Sequence, residues 1–79
     1  MTIMKALVTF VAKALVDKPD LVQVEELEKD GVLVQVLRVA KDDLGKVIGK
    51  QGSTAKAIRT LLAVTASKRE MKSKLEIIE

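Results

Sequence analysis

The sequence predicts an α+β fold in which a three-stranded sheet packs against three helices, in the order helix, strand, strand, helix, helix, strand. Three observations support this fold class. The chain begins with a helical stripe of apolar residues, continues with two β-branched runs joined by a glycine turn, and then carries two helical segments around a second glycine-containing loop. With 79 residues and no linker-like segment, residues 1–79 are expected to form one domain.

The first helix is expected between Met4 and Val16, where apolar residues recur with a period near 3.6. It should end at Lys18-Pro19-Asp20, because the residue before a proline is pushed out of the helical conformation. Phe10, the single aromatic residue of the chain, is expected to lie in the core. The apolar stripe of this helix consists of Met4, Leu7, Val8, Val11 and Leu15.

Two strands are expected next, over residues 21–27 and 32–39. Lys29-Asp30-Gly31 lies between them and supplies the positive φ that a tight hairpin requires. The second run is apolar on both faces of its pleat, so we expect it to be the central strand of the sheet.

The second half of the chain predicts two helices and a final strand. Asp42 or Asp43 should cap a short helix of about seven residues that ends at Gly49. A longer helix is expected over residues 53–68. A charged loop should follow it, and the last strand is expected over residues 75–79.

Composition excludes several kinds of chemistry. The chain has no cysteine and no histidine, which rules out disulfides, thiolate catalysis, zinc fingers and histidine general bases. The carboxylates of Glu25, Glu26 and Glu28 crowd into one segment, where solubility of a strand edge is the ordinary explanation. We therefore expect a protein that is not an enzyme and uses no metal or cofactor. No stretch approaches the roughly 20 apolar residues of a membrane span, and we expect a cytoplasmic location.

Charge is distributed unevenly along the chain. Residues 1–44 carry six Lys or Arg against eight Asp or Glu, a net charge of −2, whereas residues 45–79 carry eight against three, a net charge of +5. A polyanion would therefore approach the second half of the chain first.

The loop Gly49-Lys50-Gln51-Gly52 joins the two helices of this basic half. Gly49 can adopt the left-handed conformation that closes one helix, and Gly52 lets the next helix begin without a side chain in the way. The N–H groups that open the second helix are expected to be unpaired, and the helix dipole favours anions there. Four cations surround the loop and complete an arrangement that suits a phosphodiester backbone: Lys46, Lys50, Lys56 and Arg59.

Other known glycine motifs fit this part of the sequence less well. A P-loop requires G-x-x-x-x-G-K-[ST], but the sixth position from Gly45 is Lys50, and a G-x-G-x-x-G fingerprint fails as well. A helix-turn-helix DNA reader also joins two helices by a glycine-containing turn, but its strands would be hard to place. A plain connector between helices, with its lysines merely solvated, stays open as an alternative.

The sequence "VIGKQGSTAKAIRTLL", residues 47–62, resembles the signature of the KH domain, a nucleic-acid-binding module whose GxxG loop clamps about four nucleotides. The order of elements is similar to the type II, mainly bacterial KH fold. The small size, "KPD" before the first strand and "AIRTLL" after the loop resemble the KhpA family of stand-alone bacterial KH proteins. The resemblance covers essentially the whole chain.

The resemblance implies that single-stranded RNA lies in a groove, with the GxxG loop and the first helix on one side and a sheet edge and a variable loop on the other. A variable loop, Ser67–Lys74, would border the groove with the cations Lys68, Arg69, Lys72 and Lys74. Since no aromatic residue lies near the GxxG loop, bases are expected to rest on aliphatic side chains and binding by one domain should be weak. The expected RNA-binding residues are Lys46, Val47, Ile48, Gly49, Lys50, Gln51, Gly52, Ser53, Lys56 and Arg59, with Val47 and Ile48 supporting the bases.

The second helix of the basic half carries two apolar stripes. Ala55, Ile58 and Leu62 suit the core, while a second stripe lies roughly 130° away. This second stripe either broadens the core contact or forms a self-association surface, and we expect a homodimer built around its central leucine. Its residues are Ala57, Leu61 and Val64.

Two classes of function remain on this basis. The first is an RNA-binding module that acts as an RNA chaperone or post-transcriptional regulator. The second is an adaptor whose main role is dimerisation or docking, with RNA binding incidental. The resemblance also implies a larger KH-containing partner of the KhpB (Jag) type.

Overall fold

The computed structural model describes residues 2–79, and the elements follow in the predicted order. Short 3-10 turns precede β1, α2 and α3. Among the helices of residues 2–79, none has the length and hydrophobicity that a membrane span requires. The helices are α1 (Ile3–Leu15), α2 (Leu44–Ile48) and α3 (Ser53–Ser67), and the strands are β1 (Gln23–Lys29), β2 (Val32–Arg38) and β3 (Lys72–Ile78).

The sheet has the order β1-β2-β3, so β2 is the central strand, as its apolar run predicts. It pairs antiparallel with β1 and parallel with β3. The β1–β2 hairpin closes through Asp30 and Gly31, with φ of 54° and 80°. Positive φ at both central residues is what a two-residue type I′ turn requires. The structure therefore confirms the predicted α+β architecture.

The core lies between the helices and one face of the sheet. Leu33 and Leu37 of β2 are buried, whereas the valines that alternate with them are only half-buried. This alternation shows that one face of the sheet is covered and the other is open. The helices and the remaining strands contribute Met4, Val8, Ala12, Val47, Ala55, Ile58, Leu62, Ala66 and Leu75 to the buried set.

Phe10 is not a core residue, which makes our expectation wrong. Its side chain is 73% exposed, because α1 turns Met4, Val8 and Ala12 toward the sheet. Phe10 follows Val8 by two residues and therefore lies about 200° further round the helix. The predicted stripe is also narrower than expected, since Leu15 is exposed at the end of the helix.

Two strand boundaries differ from the prediction. β1 begins at Gln23, because Pro19–Leu21 forms a 3-10 turn before it. β3 begins at Lys72, whose N–H donates to the carbonyl of Gly31 at 3.0 Å. An edge strand tolerates lysines on its open side, so the pairing with β2 draws part of the charged segment into the sheet. The variable loop is therefore shorter than the predicted Ser67–Lys74.

Asp43 stands at the N-terminal end of α2 but does not cap it, contrary to the prediction. Its side chain makes no hydrogen bond to the first turn of this helix. Instead, its carboxylate is turned toward the end of α1. α2 is also shorter than expected, with five residues, because Lys41–Asp43 forms a 3-10 turn before it.

Candidate nucleic-acid interface

The loop between α2 and α3 begins at a position whose backbone conformation suits only glycine. Gly49 has φ 78° and ψ 170°, a region essentially closed to other residues. A Cβ on Gly49 would lie 2.8 Å from both the Cβ and the backbone N of Thr54, and closer still to its hydroxyl. Gly52 has φ 75°, but nothing lies within 4 Å of a Cβ built there. Gly49 is therefore required by conformation and packing, and Gly52 by conformation alone.

The first N–H of α3, which we expect to be unpaired, has a backbone acceptor, whereas two N–H groups at the tip of the loop have none within residues 2–79. Gly52 donates to the carbonyl of Gly49 at 3.0 Å, and Ser53 donates to the carbonyl of Lys50. Within residues 2–79, the N–H groups of Lys50 and Gln51 have no backbone acceptor. The 3-10 turn Lys50–Gly52 therefore pairs the first N–H of α3, and the N–H groups without a backbone acceptor lie at the tip of the loop.

Three of the four predicted cations are available to an anion. Lys50 and Lys56 are exposed, and neither forms an ion pair within residues 2–79. Arg59 is exposed as well and donates a hydrogen bond of 3.5 Å to the carbonyl of Leu75 in β3. Its guanidinium therefore bridges α3 and the edge strand. Arginine has further donors in its fork, so this bond leaves others free.

A groove of about 450 Å³ lies between α3 and β3. β3 is an edge strand of the sheet, so one side of its backbone is not used in strand pairing. The groove therefore combines an apolar floor, edge backbone groups and two cationic side chains. Its lining residues are Arg59, Leu62, Ala63, Ser73, Lys74 and Leu75.

Val47 and Ile48, the predicted supports for bases, have different environments. Val47 has no exposed surface and belongs to the core, so the expectation that a base rests on its side chain is wrong. Val47 belongs to the hydrophobic core that also contains residues of α1, α3 and the sheet. Ile48 is 39% exposed and can contact a ligand. Gln51 and Ser53 are also exposed beside the loop.

Lys46 is the predicted cation that is already paired. Its ammonium lies 3.1 Å from a carboxylate oxygen of Asp17 and 3.6 Å from one of Asp43. Asp43 is buried and also accepts hydrogen bonds from the N–H groups of Asp17 and Lys18, at 3.2 and 3.1 Å. These groups connect the end of α1 to α2, three residues before Gly49.

These contacts shift two pKa values in opposite directions. Burial raises the pKa of Asp43, but the N–H donors of Asp17 and Lys18 and the charge of Lys46 outweigh it and hold the pKa below its ordinary value. Hydrogen bonding and attraction to Asp17 raise the pKa of Lys46. Both shifts favour the charged forms, so Asp43 and Lys46 are ionised at neutral pH.

The predicted variable-loop cations divide into two groups. Lys68 and Arg69 lie beyond the last turn of α3, which is about 22 Å from the GxxG loop at 1.5 Å per residue. Lys72 and Lys74 belong to β3. Lys74 lines the groove and lies 3.4 Å from a carboxylate oxygen of Glu76.

The two apolar stripes of α3 have different environments. Ala55, Ile58 and Leu62 are buried, as predicted for the core stripe. In the second stripe, Leu61 and Val64 are 50% and 55% exposed, and Ala57 is exposed as well. The second stripe therefore does not broaden the core, which removes one of the two explanations left open by the sequence.

The fold and the loop agree with a known family. The family model described as "KhpA/KhpB, KH domain" matches residues 5–77. The chain belongs to the KhpA/KhpB KH-domain family. The α–β–β–α–α–β order and the loop between α2 and α3 are thus those of a KH domain.

Individual members of the KhpA/KhpB family are similar over nearly their whole length. The chain is 47% identical to the RNA-binding protein KhpA of Chlamydia trachomatis over 76 residues, which cover 96% of this chain and 97% of that protein. It is 49% identical to the proteins of the same name from Clostridium perfringens and Listeria monocytogenes, with 95% and 96% of this chain and 100% of each relative covered. No solved structure matches the chain significantly.

Sequence reasoning missed two groups of residues in this KH domain. Asp17 and Asp43 are 26 positions apart, so no local pattern could indicate that the carboxylate of one meets the backbone of the other. Ser73 and Leu75 line the groove only because β3 pairs parallel to β2. The sequence signal for β3 would be an alternation of polar and apolar residues, but the charged residues of this segment made the alternation hard to recognise.

Proposed function

We propose that this chain is a non-enzymatic RNA-binding protein that holds single-stranded RNA along the GxxG loop and the α3–β3 groove. The observation that carries the proposal is the tip of the loop, where Lys50 and Gln51 are exposed and their N–H groups have no backbone acceptor within residues 2–79. Relatives that share 47–49% of their residues with this chain are named RNA-binding proteins. The net charge of +5 on residues 45–79 favours the approach of a polyanion to this half of the chain.

The geometry suggests how RNA would be held. Phosphates would accept hydrogen bonds from the tip N–H groups and pair with Lys50 and Lys56. Bases would enter the groove beside Leu75, where edge backbone groups can meet their polar edges and Arg59 can stack on their faces. Stacking on aromatic side chains contributes about 1–3 kcal/mol per base in many single-strand binders. The residues that line this groove include no aromatic side chain. We therefore expect weak binding with little sequence preference.

Fluorescence anisotropy with a short labelled single-stranded RNA tests the proposal. Lys50→Glu should weaken binding strongly, while Lys13→Glu, the same charge change on the exposed side of α1, should have little effect. Two or three phosphate contacts predict a slope of about −1.4 to −2.1 in a plot of log affinity against log salt. A slope near zero, or equal losses in both variants, would contradict binding at the loop.

We also propose that the protein forms a homodimer through the exposed stripe Ala57, Leu61 and Val64. Exposed leucine and valine at adjacent positions on one helix face are costly in water and are removed from it when two copies pack together. A dimer would hold two weak RNA sites on one particle and raise the apparent affinity through effective concentration. Such a particle would suit an RNA chaperone or post-transcriptional regulator in the cytoplasm.

Sedimentation tests the dimer with a matched pair of variants. Leu61→Asp should yield monomers, whereas Leu21→Asp should leave the mass unchanged, since Leu21 is 52% exposed but lies in the 3-10 turn before β1. Circular dichroism checks that both variants fold. A wild-type chain that sediments as a monomer at all concentrations would refute the dimer.

The second candidate function is a docking adaptor in which RNA binding is incidental, and the same exposed stripe favours it. The stripe could bind a larger KH-containing partner of the KhpB (Jag) type in place of a second copy. Lys50→Asp combined with Gln51→Asp separates the two functions, since it should abolish RNA binding and leave self-association intact. If cells that carry this double variant behave as wild type, the adaptor function is the correct one.

A further inference from the structure

The cluster of Asp17, Lys46 and Asp43 occupies the junction between the end of α1 and α2. Asp43 brings these elements together, because its buried carboxylate accepts two N–H groups from residues 17 and 18. Lys46 then spans Asp17 and Asp43 with its ammonium, at 3.1 and 3.6 Å. One side chain of α2 is thus tied to two carboxylates on separate segments.

The start of the GxxG loop depends on this junction. A helix of five residues is not stable by itself, so the orientation of α2 is set by its contacts. Val47 fixes it on the core side, and Lys46 fixes the neighbouring side through the cluster. Gly49, the first residue of the loop, follows Lys46 by less than one turn.

The same contacts make Lys46 a poor ligand for phosphate. The two carboxylates and one ammonium of the cluster leave a net charge of −1, which repels an approaching phosphate. Moving the ammonium toward RNA would leave the buried charge of Asp43 without its cation, which is unfavourable. Lys50, by contrast, forms no ion pair within residues 2–79.

We propose that Lys46 and Asp17 are positioning residues for RNA binding: they hold α2 and the first glycine of the loop in place and do not contact RNA. The inference rests on the proposed function, since it concerns the same loop. The sequence predicts that Lys46 contacts a phosphate, whereas the inference makes it a positioning residue. The inference also gives a role to Asp17, which the sequence does not single out.

Asp17→Asn provides the sharpest test, because two explanations predict opposite signs. The side chain of Asp17 is 74% exposed, so the variant should fold. If charge alone matters, removal of an acid near the site tightens RNA binding. If Asp17 positions the loop through Lys46, the variant weakens binding, by about two- to fivefold, as expected for loss of an exposed ion pair.

The slope of affinity against salt separates positioning from contact for Lys46. Lys50→Gln should make the slope less steep by about 0.7, the value for one phosphate contact with a single strand. Lys46→Gln should weaken binding by about two- to fivefold but leave the slope unchanged. Lys46→Arg should restore the affinity, since it keeps the positive charge. Lys13→Gln is the control variant, because Lys13 lies on α1, away from the loop. Amide signals of residues 49–52 should shift in Lys46→Gln without RNA.

Each outcome supports or overturns the inference. A slope reduced by about 0.7 in Lys46→Gln would make it a phosphate ligand, and tighter binding by Asp17→Asn would make the cluster a simple electrostatic barrier. Unchanged affinity in both variants would leave them without a role in binding. Failure of the proposed function looks different, since wild-type protein would then bind RNA without any dependence on Lys50.

Discussion

Gly49→Ala perturbs the loop at the point where backbone and packing constraints coincide. An alanine at φ 78° and ψ 170° occupies a region that costs about 1–3 kcal/mol. Its Cβ would also lie 2.8 Å from two atoms of Thr54, one of them backbone, and relief of such overpacking costs about 1–3 kcal/mol more. We therefore expect the free energy of unfolding to fall by about 2–6 kcal/mol, with the upper half of that range reached only if the loop cannot shift.

Gly52→Ala is the matched control, because it has a similar φ but no atom within 4 Å of the added Cβ. It should cost about 1–2 kcal/mol from the left-handed conformation alone. Urea unfolding, followed by circular dichroism, measures both losses. Thr54→Ala in the Gly49→Ala background should recover part of the loss, since it removes the hydroxyl but not the backbone N. Equal losses at both glycines, or no recovery, would refute the packing argument.

Three further predictions concern burial and charge. In urea unfolding, Leu62→Ala should destabilise the fold by about 2–5 kcal/mol, because Leu62 is buried. Leu61→Ala should cost less than about 1 kcal/mol in the monomer, because Leu61 is half exposed. Equal losses would contradict the assignment of the two stripes. Phe10→Ser should cost less than about 0.5 kcal/mol in urea unfolding, and a loss near 3 kcal/mol would return Phe10 to the core. The pKa of Asp43 is lower in the folded chain than in the unfolded chain, where it is about 3.9. Asp43 therefore stabilises the fold fully above about pH 3.9, and this stabilisation is lost as the pH falls through the folded-state pKa. The melting temperature of Asp43→Asn should therefore fall less steeply with acid below about pH 4 than that of wild type, and parallel curves would contradict this.

Local pattern in the sequence was enough for most of the fold. The β-branched run of β2 predicted a central strand, and Asp30-Gly31 predicted the hairpin, because both depend on residues adjacent in the chain. The GxxG loop likewise required only the identity of two glycines and the helices on either side. Each of these features depends on backbone preferences and side-chain periodicities that a short segment expresses by itself.

Features that depend on residues far apart in the chain were not predictable in this way. Val47 is expected at the surface beside the loop but is buried in the core, and Phe10 is expected in the core but is exposed on α1. Asp42 or Asp43 is expected to cap α2, but the carboxylate of Asp43 instead accepts hydrogen bonds from the N–H groups of Asp17 and Lys18, just after α1. In each case a contact across the fold replaced the local preference.

Local patterns in the chain therefore specify the order of elements, the glycine loop and the basic character of its surroundings. The folded arrangement fixes which donors of the loop stay open, pairs Lys46 with Asp17 and Asp43, and forms a groove between α3 and β3. These two groups of features differ because conformational preference acts between neighbours in the chain, whereas burial, ion pairing and hydrogen-bond satisfaction depend on which distant segments the fold brings together.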